Sequence, residues 1–369
     1  MSPSPPTWRK VKDLIIYEDA RFYAAFPSVV RRPDGEVLVA FRRAPDRRIW
    51  GQDKITHVDP NSYLVLVRSR DGETWTKEPE LIYADAIGGS QDPCLLQLRD
   101  GTLLCASYGW TFIPTARIAQ LKQPVFSPVP DVVFNGGYLV KSNDGGRTWQ
   151  GPVYPPRIPT EILLDPYGKP LPAYNRGAMV EGRDGRIFWV CAAHETAGSH
   201  HTNNHLLISE DKGQSWRYSC PVATDARISF NETSIYETPA GDLVAFLRTA
   251  DFDDEACIAR STDGGKSFQP WQGMGFQGHP LQALRLPDDR VLLVYGYRHE
   301  PFGIRARILN AECTDYATAP EMILRDDAGT GDIGYPWSVQ LDATHVLVTY
   351  YYNLADGPRH IAGTMLELA

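Results

Sequence analysis

One unit recurs along this chain and limits what the chain can fold into. The unit is an apolar run, a turn of the Asp-Gly type and a second apolar run, which is typical of a β-hairpin whose turn residues accept positive φ. Regular repeats of one hairpin predict an array of antiparallel sheets rather than a helical or mixed fold. The six copies cover residues 26–41, 94–108, 178–190, 234–246, 281–295 and 337–350.

A second motif follows most of the hairpins, as a strand that ends in Ser-x-Asp-x-Gly-x-Thr/Ser-aromatic. Full copies begin at Ser142, Ser209 and Ser261, the copy at Ser69 is one residue shorter, and residues 310–316 form a decayed relative. In such a turn the Asp and Ser/Thr side chains satisfy backbone groups, the Gly takes an unusual φ, and the aromatic ring packs between sheets. The motif is therefore interpreted as structural.

These turns resemble the Asp boxes of the sialidase (neuraminidase) superfamily, whose six-bladed propellers carry them between the two outer strands of each blade. The resemblance covers nearly the whole chain and implies an all-β fold, a sialidase-like six-bladed β-propeller of four-stranded antiparallel blades, as a single domain over residues 1–369. The last blade has only three evident strands before the C-terminus. A segment at about residues 11–18 is expected to supply its outer strand and close the ring.

Composition excludes several classes of partner. Lys and Arg number 37 against 45 Asp and Glu, a net charge of −8, which argues against nucleic acid. No apolar stretch approaches the roughly 18 residues of a membrane span, and the first residues lack the apolar core of a signal peptide. We therefore expect no membrane partner and, taking Met1 as the native start, a cytoplasmic protein. Six scattered cysteines predict free buried thiols and no metal site, and nothing predicts the oligomeric state.

Charged and aromatic residues stand where the propeller would bring them to one mouth of its central channel. The innermost strand of a blade begins at that mouth and the second strand ends there, whereas the Asp boxes would lie at the opposite face. The residues predicted at the starts of innermost strands are Asp92, Arg176, Glu232 and Tyr335. The residues predicted at the ends of second strands are Arg43, Trp110, His194, Arg248 and Arg298.

The resemblance implies roles for some of these residues. Sialic acid carries a carboxylate at its anomeric centre and repels a carboxylate nucleophile, so the family uses a Tyr activated by a Glu. By similarity Tyr335, in Gly334-Tyr335-Pro336, is the nucleophile and Glu232, in Asn231-Glu232-Thr233, is its base. Arg248 and Arg305, in Phe246-Leu247-Arg248 and Gly303-Ile304-Arg305, would hold the substrate carboxylate through bidentate pairs.

The general acid of this family is an Asp on a mobile loop of the first blade. Residues 44–61 contain Asp46, Asp53 and Asp59, and Asp59 stands just before the third strand in His57-Val58-Asp59-Pro60. We predict Asp59 as the general acid, with an Asx-turn that orients its own loop as the alternative. Asp92, before Pro93, is interpreted as a sugar contact or a turn residue.

The chain departs from the family at the first clamp arginine. The family has Arg-x-Pro on the first inner strand, where this chain has Ala25-Phe26-Pro27. A lost charge-assisted contact costs about 1.5–3 kcal/mol, unless Arg21, Arg43 or Arg176 replaces it. The substrate is therefore expected to be sialic acid or another acidic sugar, with a neutral sugar left open.

The sequence predicts a cofactor-free retaining exo-glycosidase that removes a terminal acidic sugar from a glycan. One alternative is a different glycan-processing enzyme, either a glycosidase using Asp and Glu or a lyase using His57 and Tyr335. Another is a carbohydrate-binding propeller without catalysis. The His-rich residues 200–205 are interpreted as a polar sugar-binding loop or a metal site, and residues 111–135 as a lid or an oligomer contact.

Overall fold

The chain folds into a six-bladed β-propeller of antiparallel blades, as the hairpin repeats and the sialidase resemblance predict. The structure is a computed structural model and describes residues 7–52, 57–196, 199–355 and 357–369. Within these ranges helix is limited to a 3-10 turn, Arg47–Trp50, and one short α-helix, α1 (Thr115–Ile118). No helix of the described residues is long and apolar enough to cross a membrane.

The first strand along the chain belongs to the last blade, and the next nine form blades 1 and 2. The first strand is β1 (Trp8–Tyr17). Blade 1 contains β2 (Phe22–Arg31), β3 (Val37–Pro45), β4 (Tyr63–Ser69) and β5 (Glu80–Tyr83). Blade 2, whose innermost strand is split in two, contains β6 (Gly88–Ser90), β7 (Cys94–Gln97), β8 (Leu103–Phe112), β9 (Val132–Ser142) and β10 (Gln150–Val153).

Blades 3 and 4 follow, and blade 4 carries an additional two-stranded ribbon. Blade 3 contains β11 (Val180–Glu181), β12 (Ile187–His194), β13 (Thr202–Ser209) and β14 (Arg217–Ala223). The ribbon of blade 4 pairs β15 (Ser229–Phe230) with β18 (Thr249–Ala250). Its main sheet contains β16 (Ser234–Glu237), β17 (Leu243–Leu247), β19 (Glu255–Ser261) and β20 (Gln272–Gln277).

The last two blades complete the ring, and β1 closes it. Blade 5 contains β21 (Leu281–Arg285), β22 (Val291–Tyr297), β23 (Gly303–Leu309) and β24 (Glu321–Arg325). Blade 6 contains β25 (Gly334–Gln340), β26 (His345–Tyr352) and β27 (His360–Leu368). Strand β1 pairs with β27 as the outer strand of blade 6, so the first and last strands share one sheet and blade 6 has four strands.

Each Asp box closes a turn through its Asp and Ser side chains. Asp211 Oδ1 accepts the backbone N–H of Ser215 at 2.8 Å, and Ser209 Oγ accepts that of Gly213 at 2.9 Å. Gly213 has φ 78°, and a Cβ at this position would lie 2.7 Å from Leu104 of blade 2. The unusual φ predicted for the glycine is therefore observed, and the contact with Leu104 is a second reason for a glycine here. The same carboxylate bonds recur at Asp71, Asp144 and Asp263.

Strand register places the Asp boxes and the channel mouth at opposite ends of a blade. In blade 4, Ser234, two residues after Glu232, pairs with Phe246 at one end of the sheet. Ser261, which begins the Asp box, pairs with Leu243 at the other end. The boxes therefore lie away from Glu232, as a structural role requires. All six cysteines are unpaired and buried within the blades.

Candidate active site

One residue per blade lies near the start of the innermost strand or, at Phe26, at the interruption in the middle of β2. Phe26 and Tyr335 both precede a proline and both have positive φ, 57° and 52°, at interruptions of the strand register. This backbone conformation is unfavourable for a bulky residue and clusters at functional sites. Four of these positions were predicted from sequence, whereas Phe26 and His279 were not. The ring consists of Phe26, Asp92, Arg176, Glu232, His279 and Tyr335.

Tyr335 and Glu232 form the central contact of the mouth. The Tyr335 hydroxyl donates to the Glu232 carboxylate, 2.7 Å from Oε1 and 2.8 Å from Oε2. Arg248 Nη1 lies 3.0 Å from the same hydroxyl and also donates to Glu232. The Tyr335 phenol, the Glu232 carboxylate and the Arg248 guanidinium are thus in mutual contact. Tyr335 lies at the start of β25 in blade 6, and Glu232 and Arg248 flank β16 and β17 in blade 4.

The Tyr335 ring is enclosed by cations and by a second aromatic ring. The guanidinium carbons of Arg176 and Arg298 lie 4.7 and 5.3 Å from the ring centroid, and Phe26 packs edge-on at 4.8 Å. Arg298 also donates to the Tyr351 hydroxyl at 3.0 Å. These cation–π contacts fix the phenol and leave its oxygen as the polar tip facing Glu232.

Burial and neighbouring charges set the protonation of this pair. Burial, followed by the negative charge of Glu232, raises the pKa of Tyr335 well above its usual value, so the phenol keeps its proton at neutral pH. Burial also raises the pKa of Glu232, but the positive charge of Arg248 and the bond from Tyr335 outweigh it, and the net pKa is lowered. The ground state is therefore a neutral phenol donating to an ionised carboxylate.

Asp92 is the second buried carboxyl group at the mouth. Its Oδ2 accepts from the Tyr108 hydroxyl at 3.2 Å, while Oδ1 is buried without a hydrogen-bond partner among the described residues. Burial and the charge of Glu232 raise the pKa of Asp92 to about 7. Asp92 can therefore give or take a proton near neutral pH, which most carboxyl groups cannot.

Arg42 is a charged residue of this region that the sequence reasoning missed. It is fully buried, and none of its three guanidinium nitrogens has a hydrogen-bond partner in the described part of the chain. It pairs in register with Ala25, so both side chains lie on the same face of the sheet. The guanidinium thus lies beside the position where the family has its first clamp arginine. Asp92, Asp59 and Tyr23 act on it electrostatically.

Asp332 ties the loop before Tyr335 to blades 1 and 6. Its carboxylate accepts from the hydroxyls of Tyr23 and Tyr351 at 3.1 and 3.0 Å and from Arg359 Nε at 2.8 Å. His57 Nε2 lies 3.0 Å from Oδ1. Burial raises the pKa of Asp332, but its bonds with His57 and Arg359 outweigh this and hold the pKa well below the usual range. The predicted residue His57 therefore contacts Asp332, and its ring packs 5.4 Å from Phe26.

The position of Asp59 differs from that expected of a free general acid. Its two carboxylate oxygens bind Arg47 at 2.7 and 2.9 Å, and Oδ1 also accepts the N–H of Asn61 at 2.8 Å. This is the Asx-turn that the sequence left open, held by a bidentate ion pair. Asp46 likewise caps the 3-10 turn and binds Arg48. Asp53, the third Asp of the loop, lies outside the described residues.

Three arginines predicted to bind substrate point elsewhere. Arg305 donates to the carbonyls of Pro301, Ile304 and Arg325, so the expectation that it forms the clamp is corrected: its nitrogens serve the outer strands of blade 5. Arg43 donates to the Tyr63 hydroxyl, because neighbouring strand residues face opposite sides and the inward residue is Arg42. Arg21 is exposed and pairs with Asp19. None of the three is positioned to replace the missing clamp arginine.

The histidine-rich loop is held by polar contacts. His205 Nε2 lies 2.7 Å from Glu195, which also accepts from Asn203 at 2.6 Å, and His201 Nε2 lies 3.1 Å from the carbonyl of Ile228. The described residues contain no group of three His, Cys, Asp or Glu side chains arranged to hold a metal ion. In residues 111–135, Phe126 packs on Trp110 and Phe134, which joins this loop to blade 2.

Solved structures share this fold, and no curated protein matches the chain. A crystal structure of a protein of unknown function from Dyadobacter fermentans is 63% identical, with a TM-score of 0.96, and the match covers 98% of this chain and 99% of that one. A Hadza microbial sialidase is 16% identical, with a TM-score of 0.66 over 94% of this chain and 66% of that one. A Trypanosoma rangeli sialidase is 13% identical, with a TM-score of 0.64 over 97% of this chain and 58% of that one.

At such low identity the likeness to sialidases shows the fold, and the chain spans about two thirds or less of the length of these two enzymes. The family of the chain is shown by its amino-acid sequence. The model of the BNR repeat-like domain matches residues 130–348, more than half of the chain. This stretch contains all three full Asp boxes, and it also contains Glu232, Arg248 and Tyr335. The chain belongs to the BNR repeat-like domain family.

Proposed function

We propose that this protein is a retaining exo-glycosidase that removes a terminal acidic sugar, sialic acid or a related acid, through a covalent bond to Tyr335. The observation that carries the proposal is the hydrogen bond between the Tyr335 hydroxyl and both oxygens of Glu232, at 2.7 and 2.8 Å. A nucleophile within hydrogen-bond reach of a base, with a third group orienting the base, is the arrangement that nucleophilic catalysis needs. Arg248 is the third group.

The chemistry of this pair is a double displacement. Tyr335 Oη attacks the anomeric carbon as its proton passes to Glu232, and the bond from that carbon to the leaving oxygen breaks while an acid protonates that oxygen. Water then attacks the same carbon as a base takes up its proton, and the bond from that carbon to Tyr335 Oη breaks. The released Tyr335 oxygen recovers a proton from Glu232. Because the pKa of Tyr335 is raised, the proton transfer to Glu232 must accompany the attack rather than precede it.

Two carboxyl groups are candidates for the acid. Asp59, the group predicted by resemblance, can serve only if its bidentate pair with Arg47 opens when substrate binds. Asp92 is protonated to a substantial degree near pH 7, because burial raises its pKa to about that value, and its Oδ1 has no partner in the described structure. A loss of activity in Asp92→Asn that exceeds the loss in Asp59→Asn would assign the acid to Asp92.

An acidic substrate is supported by the surplus of donors at the mouth. Arg42 lacks any protein acceptor among the described residues, and the Nε atoms of Arg176 and Arg248 also lack one. A buried arginine without an acceptor is unfavourable until a ligand oxygen provides one. We assign the substrate carboxylate to Arg248 and Arg298, in place of Arg248 and Arg305, with Arg42 compensating for Ala25. Arg298 is chosen for its position 5.3 Å from the Tyr335 ring, although its Nε and Nη2 already donate to the Ile333 carbonyl and the Tyr351 hydroxyl.

The proposal is tested with a panel of fluorogenic glycosides that includes sialosides, uronides and neutral sugars, with each product identified by mass. Release of an acidic sugar with retained anomeric configuration supports the proposal. Release of an unsaturated sugar would indicate a lyase, and release of neutral sugars alone would reject the acidic substrate. Binding without any turnover would indicate a carbohydrate-binding propeller.

A further inference from the structure

A second cavity lies beside blade 2, outside the ring of residues at the mouth. It has a volume of about 480 Å³ and lies between blade 2 and residues 154–179, the segment that links β10 to β11. That volume is in the range of small-molecule sites. Its wall includes Ile87, Tyr154 and Tyr167, and its floor includes the backbone of Gly109 and Gly136.

Three large side chains in this wall are unusually exposed. Tyr154 is 63% exposed, Tyr167 is 61% exposed and Ile87 is 57% exposed. The segment that carries both tyrosines is itself anchored, because Ile158 and Leu171 are each 1% exposed. A packed segment therefore holds two aromatic rings in solvent around one cavity, and an exposed apolar patch of this kind is typically a binding surface.

Two carboxylates are among the polar groups that line the cavity. Asp85 Oδ1 accepts the N–H of Ile87 at 2.9 Å, and Asp165 Oδ1 accepts that of Tyr167 at 2.8 Å. Within the described residues neither Oδ2 atom accepts a hydrogen bond. Both carboxylates raise the pKa of Tyr154, after the larger effect of burial, which places them near its phenol. Lys169 is the basic residue of the wall.

This set of groups matches a neutral sugar. The flat C–H face of a pyranose ring packs on an aromatic side chain, and its hydroxyls donate to carboxylates. Two carboxylates against one lysine disfavour an acidic sugar, which is the opposite of the arginine-rich mouth. The two sites therefore differ in the charge of the ligand that each accepts.

Strand β8 connects this cavity to the mouth. Gly109, in the floor of the cavity, follows Tyr108, whose hydroxyl donates to Asp92 at 3.2 Å. Gly136 has φ 79°, and a Cβ there would lie 2.7 Å from the carbonyl of Pro172, so the floor is bare backbone at this point. Strand β8 thus contributes Gly109 to the cavity directly after Tyr108, which contacts Asp92 at the mouth.

We propose that the cavity between blade 2 and residues 154–179 is a second glycan subsite that binds a neutral sugar unit on the leaving-group side of the substrate. The position on the leaving-group side rests on the proposed function. Binding of a neutral sugar by the cavity does not, because it depends only on Tyr154, Tyr167 and the two carboxylates.

The test uses the full chain and three neutral disaccharides, lactose, cellobiose and maltose, in saturation-transfer NMR titrations. At least one is expected to bind, and Tyr154→Ala or Tyr167→Ala should weaken that binding about tenfold, the usual effect of removing an aromatic anchor. Tyr154→Phe and Tyr167→Phe keep the ring and should retain most of the binding. Ile323→Ala, a control on β24 that is 54% exposed, should change nothing.

Three results would overturn the subsite. One is that none of the three disaccharides binds, and a second is that both alanine variants bind as tightly as the unmodified chain. A self-association that Tyr154→Ala abolishes would assign the patch to a second copy and would also reject it. Fluorogenic turnover without disaccharide binding would count against the subsite alone, whereas disaccharide binding without turnover would count against the proposed function alone.

Discussion

At the scale of single residues, buried charge is the most informative property of the channel mouth. Arg68 and Arg42 are both buried arginines of blade 1, yet Arg68 donates to Glu36, Glu80 and two backbone carbonyls, whereas Arg42 has no acceptor among the described residues. A charge with a full set of partners is structural. A buried charge without them is unfavourable, and for Arg42 we propose that an oxygen of the substrate supplies the missing acceptor.

Replacement of Arg42 should therefore affect substrate binding, and replacement of Arg68 should affect stability. Arg42→Met should change the free energy of unfolding by less than about 1 kcal/mol but raise the KM for an acidic substrate about tenfold or more, since a charge-assisted contact is lost. Arg68→Met should lower the free energy of unfolding by about 3 kcal/mol, because Glu80 and two backbone carbonyls lose this donor and Glu36 loses one of its arginine partners. Urea unfolding and steady-state kinetics measure both. An unchanged KM in Arg42→Met would make Arg42 structural.

Asp92 should make stability depend on pH. Its pKa is raised to about 7 in the folded chain, so the native state binds more protons than the unfolded state between about pH 4 and pH 7. The contribution of Asp92 to the free energy of unfolding therefore falls as pH rises through this window. Asp92→Asn should remove that fall, so the variant gains stability relative to the unmodified chain from pH 5 to pH 7.5. Parallel pH dependences would contradict the assignment.

At the scale of the structural element, the Asp box has a structural role and the innermost strand provides the side chains at the channel mouth. The box closes the turn between two outer strands with bonds from one carboxylate, far from the mouth. The innermost strand instead presents one side chain per blade to the channel. In four blades the residue that carries it precedes a proline: Phe26, Asp92, His279 and Tyr335. This X-Pro pattern is the sequence signal that could have identified His279, whose pKa burial lowers to about 4.

Loss of one Asp box should affect stability and leave catalysis unchanged. Asp211→Ala removes the acceptor of the Ser215 N–H and of its hydroxyl, at 2.8 and 2.6 Å. We expect the free energy of unfolding to fall by about 1 kcal/mol and kcat to stay the same. Thermal unfolding and turnover on the best glycoside test this together. A large loss of kcat in a well-folded variant would mean that the boxes communicate with the mouth.

At the scale of the whole molecule, closure of the ring depends on β1. Neighbouring residues of this strand provide a matched pair, because Ile16 is 4% exposed in the core and Ile15 is 60% exposed. Ile16→Ala should lower the free energy of unfolding by about 2–4 kcal/mol, and Ile15→Ala by less than about 0.5 kcal/mol. Chemical denaturation of both variants measures the difference. Equal small effects would mean that closure by β1 adds little to stability.

The fold could be predicted from sequence because its signals are local and repeated. Hairpin turns and Asp boxes fix their own backbone, and six copies leave few arrangements open. The side chains at strand starts were also predictable, since Asp92, Arg176, Glu232 and Tyr335 occupy equivalent places in the repeats.

The strand ends were harder to predict. A shift of one residue turns a side chain to the other face, so the sequence predicts Arg43 at the mouth, whereas in the structure Arg42 is the buried residue. The ion pair of Asp59 with Arg47 and the carbonyls that bind Arg305 are contacts that a repeat pattern does not contain.

The covalent role of Tyr335 is tested most directly by its removal. Tyr335→Phe should still bind substrate, because the ring still packs. Its kcat should fall about a thousandfold or more, because the attacking oxygen is gone. Tyr236→Phe, a control whose buried hydroxyl has no partner among the described residues, should keep full activity. In the unmodified chain, mass spectrometry of quenched reactions should find a glycosyl group on Tyr335. A Tyr335→Phe variant with the kcat of the unmodified chain would contradict the mechanism.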